Sequence, residues 1–538
     1  MAHRFLIYWM GIVLLSFSLG HAQSNQVFRY GDFGHPSTFD PLTATQPSEH
    51  RMCQFVFDSL IAQNLEGGFV LSLSKDLDIS PDGLSYTFIL RNVKWADGTP
   101  LTSKDIEFTL VLMLNAQSDN YNATLAKYIE DVVCIHPNMV TITLTRPFFS
   151  PLSLFTFKIL PKHKFTSDVL QRGHPFTKSP VGCGPFQYSG EDHAPPNDIT
   201  LEVNPMFAYR RKPFLQHIGI KFYSSKEKAT QDLLQKKIDL VTEVYPGDLA
   251  ELEKKQLVLA KYQSRAIYYV AFNYRPDHPY HALFRDYRFR RALLHAIDRQ
   301  SILEKTFFSG NRKGQDGQAH FVISGPFPIN SWAYNDKVKP FPFNLPYARQ
   351  LAKESLSSKG YEQDSESFWK HPEQGRITLT LKYPPGDRAV EEACKEIADS
   401  FKKLGIMILL QPLEKKSLFE EVWIEHRFDL VYTKHVFDNT IDAFPLFDPA
   451  RTGKGQTNFS GYVDSKLVEL FFQLHNTLNP WVLRSLAHKI HKIIHDETIH
   501  LFLWQLDLYA AHHRKIKNMK VHPYHLFNFP EDWKVIED

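Results

Sequence analysis

The feature that most constrains the fold is the repeated alternation of short strands with helices along the chain. One example is "HIGIKFYSSKEKATQDLLQKKIDLVTEVY", residues 217–245, and a second is "RITLTLKYPPGDRAVEEACKEIADSFKKLGIMILLQPL", residues 376–413. In each, a strand-like run precedes a run with helical spacing, and a second strand-like run follows. Gly405 is expected to end the helix of the second example. The pattern predicts an α/β protein.

A third segment specifies its local structure closely. In "SYTFILRNVKWADGTPLTSKDIEFTLVLML", residues 85–114, the alternating run 85–91 predicts a strand, and Asp97-Gly98 has turn chemistry. Thr102 is the expected N-cap of a helix, and Asp105 stands where it can bond back to it, an acidic variant of the capping box. The segment therefore predicts a strand, a tight turn and a capped helix.

Length and charge narrow the class of protein. The chain of 538 residues is long enough for two to four domains. Its net charge of +3, without a basic tail or a run of one sign, gives no indication of nucleic-acid binding. Hydrophobic residues at 43% and charged residues at 22% are typical of an ordinary globular protein, so we expect large buried cores.

The N-terminus has the composition of a secretory signal peptide. Arg4 precedes an apolar run from Phe5 to Leu19, and Gly20-His21-Ala22 supplies small residues for cleavage after Ala22. The apolar run is shorter than the roughly 20 residues that span a bilayer. The first cysteine is Cys53, so lipid attachment at a new N-terminal cysteine is not expected. These features predict an exported, periplasmic protein with 1–22 removed.

The positions of the cysteines and of three histidines are each compatible with two different roles. Export permits disulfides, so a bridge between Cys53 and Cys134 and four buried free thiols are both compatible with the spacing of the four cysteines. In "LAHKIHKIIHDETIH", His488, His491 and His495 have helical spacing, which a divalent metal could use. The simpler interpretation is an amphipathic helix with apolar partners such as Ile490, and we expect no metal or other cofactor.

Enzyme motifs are missing from the sequence. It contains no H-E-x-x-H, no G-x-S-x-G and no glycine-rich phosphate loop between a strand and a helix. A secreted metal-dependent hydrolase therefore stays only as a distant alternative, and we expect a protein that is not an enzyme.

Several motifs resemble one known family in both composition and order. "WADGTPLTSKDIEFTL" resembles a signature of the family 5 extracytoplasmic solute-binding proteins, the oligopeptide- and dipeptide-binding components of ABC importers. "VGCGPFQY" is similar to the family's G-T-G-P-aromatic step, with Cys183 in place of threonine. "VAFNYRPDHPYHALFRDYRFRRALLHAIDRQSIL" and "FSGYVDSKLVELFFQL" resemble later blocks. The resemblance covers essentially the whole chain after residue 22.

The resemblance implies an α/β fold of the type II periplasmic-binding-protein class. Two lobes would close on a cleft, and the first of three domains would be discontinuous. The implied bounds are 23–54, 184–272 and 493–538 for domain I, 55–183 for domain II and 273–492 for domain III.

The resemblance also implies a ligand and a partner. The α-ammonium of a short peptide would meet Asp438 in "FDLVYTKHVFDNTIDAFPLFDP", with His435, Phe437 and Asp442 nearby. The family's tryptophan is missing here, and no proline follows Asp442. The implied partner is an inner-membrane ABC permease, and the protein is expected to be a monomer. Alternatives within the fold are a nickel or haem complex, a modified peptide or an oligosaccharide.

Overall fold

The computed structural model describes residues 27–536 apart from 35, 37, 45, 65–67, 168, 171–173, 178, 190–197, 308–320, 439 and 522–528. The predicted signal peptide, 1–22, lies outside the described residues. None of the helices in the described part of the chain combines the length and apolar character that a bilayer span needs. Helices and strands share the described chain, which confirms the predicted α/β class.

The strands fall into one large sheet and four small ones. They are β1 (Val27–Phe33), β2 (Ile61–Gln63), β3 (Phe69–Leu71), β4 (Ser74–Ile79), β5 (Ser85–Leu90), β6 (Ile129–His136), β7 (Met139–Leu144), β8 (Phe186–Tyr188), β9 (Ile199–Val203), β10 (His217–Tyr223), β11 (Leu240–Val241), β12 (Val258–Phe272), β13 (Phe321–Val322), β14 (Glu362–Gln363), β15 (Trp369–His371), β16 (Gly375–Arg376), β17 (Thr378–Tyr383), β18 (Met407–Pro412), β19 (Leu430–Val436), β20 (Leu501–His512), β21 (Ile516–Lys517) and β22 (Lys534–Val535).

The helices lie between these strands. They are α1 (Pro47–Val56), α2 (Ser103–Leu114), α3 (Ala123–Tyr128), α4 (Lys226–Leu234), α5 (Leu249–Lys254), α6 (His281–Arg285), α7 (Tyr287–Ala296), α8 (Arg299–Thr306), α9 (Leu345–Ser357), α10 (Arg388–Lys402), α11 (Lys415–Phe419), α12 (Ser465–His475) and α13 (Pro480–Asp496).

Both predicted strand–helix–strand units are present. In the first, α4 connects β10 to β11, and β1 lies between them and is parallel to both. In the second, α10 connects the parallel neighbours β17 and β18, and Gly405 has a φ of +79° just after the helix, as expected. The second strand-like run of the first example, "IDLVTEV" (238–244), forms a shorter strand than expected, because only Leu240 and Val241 pair regularly.

The large sheet has two halves joined at its centre. Its order is β18-β17-β19-β12-β20-β11-β1-β10-β9-β8, with β13 paired to β20. We call β17, β18 and β19 the β19 half, and β1 with β8 to β11 the β1 half. The long strands β12 and β20 pair with each other and also connect the halves, because β12 pairs with β19 and β20 pairs with β11. Their register shifts between Gln263 and Ile267, and such an irregularity is a place where a ladder bends.

A separate four-stranded sheet has the order β4-β5-β7-β6. This sheet, together with α2 and the loops up to Phe155, is called the insert unit. It contains the strand, turn and capped helix predicted from residues 85–114. Thr102 N–H donates to Asp105 Oδ2 at 2.7 Å, which completes the acidic capping box. The other oxygen of Asp105 accepts from Lys162 N–H at 2.9 Å. The capped helix therefore ties the loop at 162 to the insert unit.

The two ends of this insertion lie side by side. Gly184 N–H donates to Val56 O at 2.8 Å, and a Cβ on Gly182 would lie 1.8 Å from the same oxygen. Only glycine permits this approach, which explains the glycine cluster of "VGCGPF". The chain thus leaves the β1 half and returns to it at one place. The domain bounds themselves stay a prediction.

The structure decides between the alternatives for the cysteines and describes the surroundings of His491. All four cysteines are free, so the alternative bridge between Cys53 and Cys134 is not formed. His491 on α13 is fully buried; its Nδ1 accepts from Asn335 N–H and its Nε2 lies 3.0 Å from Ser324 Oγ. No group of three or more His, Cys, Asp or Glu side chains in the described chain could hold a metal ion.

Buried neutral histidines make stability depend on pH. Burial lowers the pKa of His491 to about 3, and burial together with Arg290 lowers the pKa of His500 to about 3. The unfolded chain takes up these protons near pH 6.5, whereas the folded chain does not until pH is far lower. Stability is therefore complete above pH 6.5 and falls as the pH drops toward 3. At pH 5 each such histidine costs about 2 kcal/mol.

We predict that His491→Gln reduces this loss of stability. The free energy of unfolding is measured in urea at pH 7 and at pH 5. From pH 7 to pH 5 it should fall by about 2 kcal/mol less in the variant than in the wild type, because glutamine takes up no proton. His136→Gln is the matched control, since His136 is exposed. An equal loss in the wild type and in His491→Gln would contradict the prediction.

Candidate ligand-binding cleft

Charged side chains from both halves of the large sheet face each other beside β12. Lys226, the first residue of α4, pairs with Glu243 in the β1 half. Arg51 and Lys434 lie close enough to Glu243 to lower its pKa, and Asp387, the N-cap of α10, helps to raise the pKa of Lys226. Lys434 lies in β19 and Asp387 follows β17, so these groups meet across the boundary between the halves.

These groups lie deep in the protein but border open space. Burial raises the pKa of Glu243, but Lys226 and then Lys434 bring it below its ordinary value. The side chain of Glu243 is nevertheless 30% exposed to solvent, and that of Lys226 is 23% exposed. Side chains that are surrounded by protein and yet partly accessible line a concave surface. We therefore take the boundary between the halves as the candidate cleft, because a ligand site needs groups that are partly enclosed and still accessible.

A buried ion pair fixes one wall of this cleft. Asp32 at the end of β1 is fully buried, and Arg51 Nε donates to its Oδ2 at 2.7 Å while Nη2 contacts Oδ1. Burial works against the charge of Arg51, but Asp32 holds the pKa of the guanidinium above its usual value. A two-pronged contact of this kind holds the arginine in one orientation.

The four predicted site residues lie together where β19 ends. His435 is in β19 opposite Ile267 of β12, and its ring packs edge-on against Phe437 at 4.5 Å. Burial lowers the pKa of His435 to about 4, although Asp442 partly opposes the shift. His435 is therefore uncharged at neutral pH. Phe437 is buried, so the structure gives it a packing role beside His435.

The two aspartates of this loop have different surroundings. Asp438 is exposed, and its Oδ1 accepts from Thr440 N–H at 2.8 Å and from Thr440 Oγ1 at 2.5 Å. No described residue donates to its Oδ2. Asp442 uses both oxygens, because Oδ1 accepts from Phe444 N–H at 2.9 Å and Oδ2 lies 3.0 Å from His475 Nε2. Of the two aspartates, Asp438 is therefore the one that keeps a carboxylate oxygen without a donor among the described residues.

The structure adds a feature that the sequence did not reveal. β19 pairs with β12 along residues 430–436, but with β17 only at Leu430 and Val431. β17 ends at Tyr383 and is followed by Pro384 and Pro385, which cannot extend a ladder. On that side, the backbone of 432–436 has no strand partner among the described residues. Prolines after a strand could have suggested this open edge, but the neighbour of that strand was not evident.

The sequence matches the bacterial extracellular solute-binding proteins, family 5 (middle region), over residues 68–458. The chain belongs to this family. The predicted family is therefore confirmed, and family members are extracellular solute-binding proteins.

Two curated relatives illustrate the range of the family. The oligopeptide-binding protein AppA of Bacillus subtilis (strain 168) is 22% identical over 528 residues, which is 96% of this chain and 93% of AppA. Heme-binding protein A of Haemophilus influenzae is 25% identical over 378 residues, which is 65% of each chain.

Solved structures show the same fold. AppA from Bacillus subtilis in complex with a nonapeptide has a TM-score of 0.79 at 21% identity, covering 95% of this chain and 99% of that one. NikZ from Campylobacter jejuni in complex with Ni(L-His) has a TM-score of 0.78 at 20% identity, covering 94% and 99%. The similarity to these binding proteins confirms the predicted type II fold.

Proposed function

We propose that this family 5 protein binds short peptides in the cleft and delivers them to an inner-membrane ABC permease. The observation that carries the proposal is the open edge of β19, which ends beside the free carboxylate oxygen of Asp438. An extended peptide offers backbone N–H and C=O groups to such an edge, whatever its side chains are. Its α-ammonium needs an anionic partner when it leaves water, and Asp438 supplies one.

Lys434 suits the other end of such a ligand. It lies on β19 four residues before Asp438. Lys434 and Val436 are exposed alternate residues of β19, and Asp438 is exposed two residues after the strand ends. Along an extended strand the two charged residues are about 13 Å apart. A peptide of about four residues therefore reaches from the carboxylate of Asp438 to the ammonium group of Lys434.

The remaining parts of the proposal follow from family and sequence. The protein is exported after cleavage behind Ala22, carries no lipid, acts in the periplasm as a monomer and catalyses no reaction. Its division into domains I (23–54, 184–272, 493–538), II (55–183) and III (273–492) supports closure of two lobes about the ligand. A metal-dependent hydrolase has no metal-binding cluster among the described residues to support it.

The ligand can be identified directly. Native mass spectrometry of protein purified from the periplasm, followed by denaturation, should release peptides a few residues long from a chain that starts at Gln23. A released nickel complex, haem or oligosaccharide would contradict the peptide proposal and leave the fold unaffected. A mass that includes residues 1–22 would contradict the predicted cleavage.

We predict that Asp438→Asn weakens peptide binding at least tenfold, because about 1.4 kcal/mol is lost when the α-ammonium faces an uncharged amide. The asparagine oxygen can still accept from Thr440, so the loop should keep its shape. Isothermal titration with the released peptide measures the change.

Two controls make this test specific. Glu373→Gln removes an exposed carboxylate of domain III and should bind like the wild type. An N-acetylated copy of the peptide should bind the wild type and Asp438→Asn equally weakly, since it has no α-ammonium. Unchanged affinity of Asp438→Asn for the free peptide would remove Asp438 from the site.

A further inference from the structure

The C-terminal end of α12 touches the insert unit at two places. The ring of His475 stacks on that of Phe149, with centroids 5.4 Å apart and planes 9° from parallel. Three residues later, Leu478 Cδ1 lies 2.7 Å from where a Cβ would stand on Gly83, in the turn between β4 and β5. Gly83 has a φ of +69° and no side chain, which leaves room for the leucine. The end of α12 is therefore a contact between domain III and the insert unit.

His475 also contacts the loop that follows β19. Its Nε2 lies 3.0 Å from Asp442 Oδ2, within ion-pair distance, although the N–H does not point along the line between the atoms. The side chains of His475 and Asp442 are only 7% and 19% exposed to solvent. Phe444 packs edge-on against the same ring at 5.3 Å. His475 therefore holds Asp442 from one side while its ring faces the insert unit.

Hydrogen bonds continue from Asp442 to the predicted ligand residue. Asp442 N–H donates to Thr440 Oγ1 at 3.3 Å, and Thr440 Oγ1 donates to Asp438 Oδ1 at 2.5 Å. Thr440 N–H donates to the same carboxylate oxygen at 2.8 Å. One connected path therefore runs from Phe149 through His475, Asp442 and Thr440 to Asp438.

The loop needs this support because its backbone is strained. Ile441 has a φ of +58°, a left-handed conformation that β-branched residues rarely adopt, and it is buried. Such a conformation persists only where the surrounding contacts fix it. Ile441 N–H donates to Asp438 O at 3.4 Å, and the hydrogen bonds of Thr440 and Asp442 with the contact to His475 add to the support of this turn.

We propose that His475 is a positioning residue for ligand binding: it couples contact with Phe149 of the insert unit to the positions of Asp442, Thr440 and Asp438. The proposal rests on the proposed function, since it assigns Asp438 to the ligand. When the insert unit and domain III meet, Phe149 orients the ring of His475, and the ring holds Asp442. The carboxylate of Asp438 then stands where the ligand's α-ammonium binds. A histidine that only filled the core would change stability without changing this loop.

The test compares substitutions at His475 and Phe149 in the full-length protein. His475→Leu removes both the ring stacking and the contact with Asp442, whereas His475→Gln keeps a side-chain N–H that can reach Asp442. Phe149→Leu removes the stacking from the facing side. Gln473→Ala is the matched control, because Gln473 is exposed on the same helix.

Three quantities are measured for each variant. They are the affinity for a library of tri- and tetrapeptides, the melting temperature without ligand, and hydrogen exchange of the backbone amides of 440–444 without ligand. We expect His475→Leu and Phe149→Leu to bind about tenfold more weakly and to exchange faster at 440–444. His475→Gln should recover most of the affinity, and Gln473→Ala should match the wild type.

The two proposals fail in different ways. If the wild type binds peptides and His475→Leu binds them equally well with unchanged exchange at 440–444, the role of His475 is overturned and the proposed function stands. A fall in melting temperature without faster exchange at 440–444 also overturns it. If the wild type binds no peptide, the proposed function fails, and unchanged exchange in His475→Leu would show that His475 does not hold the loop either.

Discussion

The pairing of β12 with β20 is the constraint on which the rest of the structure depends. These two strands run through the centre of the large sheet, pair with each other along most of their length, and carry the sheet from the β1 half to the β19 half. Any change in the angle between the halves must therefore bend this pair. The register shift after Gln263 supplies the point where the ladder is already interrupted, directly beside the cleft.

The position of the cleft follows from this arrangement. β19 is hydrogen-bonded to β12 on one side and open on the other, because Pro384 and Pro385 end β17 early. The open edge therefore belongs to the strand that neighbours β12, whose ladder with β20 is interrupted after Gln263. A ligand that pairs with this edge contacts one half through its backbone and the other through charges such as Glu243. In the proposed function, binding favours the closed arrangement, because only there does the ligand meet both halves.

Local signals in the sequence predicted local structure well. The capping box of Thr102 and Asp105, the glycine that ends α10 and both strand–helix–strand units depend on contacts within a few dozen residues, and the structure contains them all. The contact of Asp442 with His475 was not predicted, since 33 residues separate them and neither residue type signals the other. The pairing of β12 with β20 joins segments more than 200 residues apart, so no local pattern could reveal it. The predicted aspartates were placed on one loop, but only the structure distinguishes exposed Asp438 from engaged Asp442.

Closure about β12 and β20 is tested most directly by small-angle X-ray scattering of the full-length protein with and without its released ligand. A hinge at the centre of the large sheet predicts a smaller radius of gyration when the ligand is bound, because the two halves and the insert unit move together. An unchanged radius of gyration at saturating ligand would contradict closure, and would indicate a rigid cleft that binds its ligand without movement of the halves.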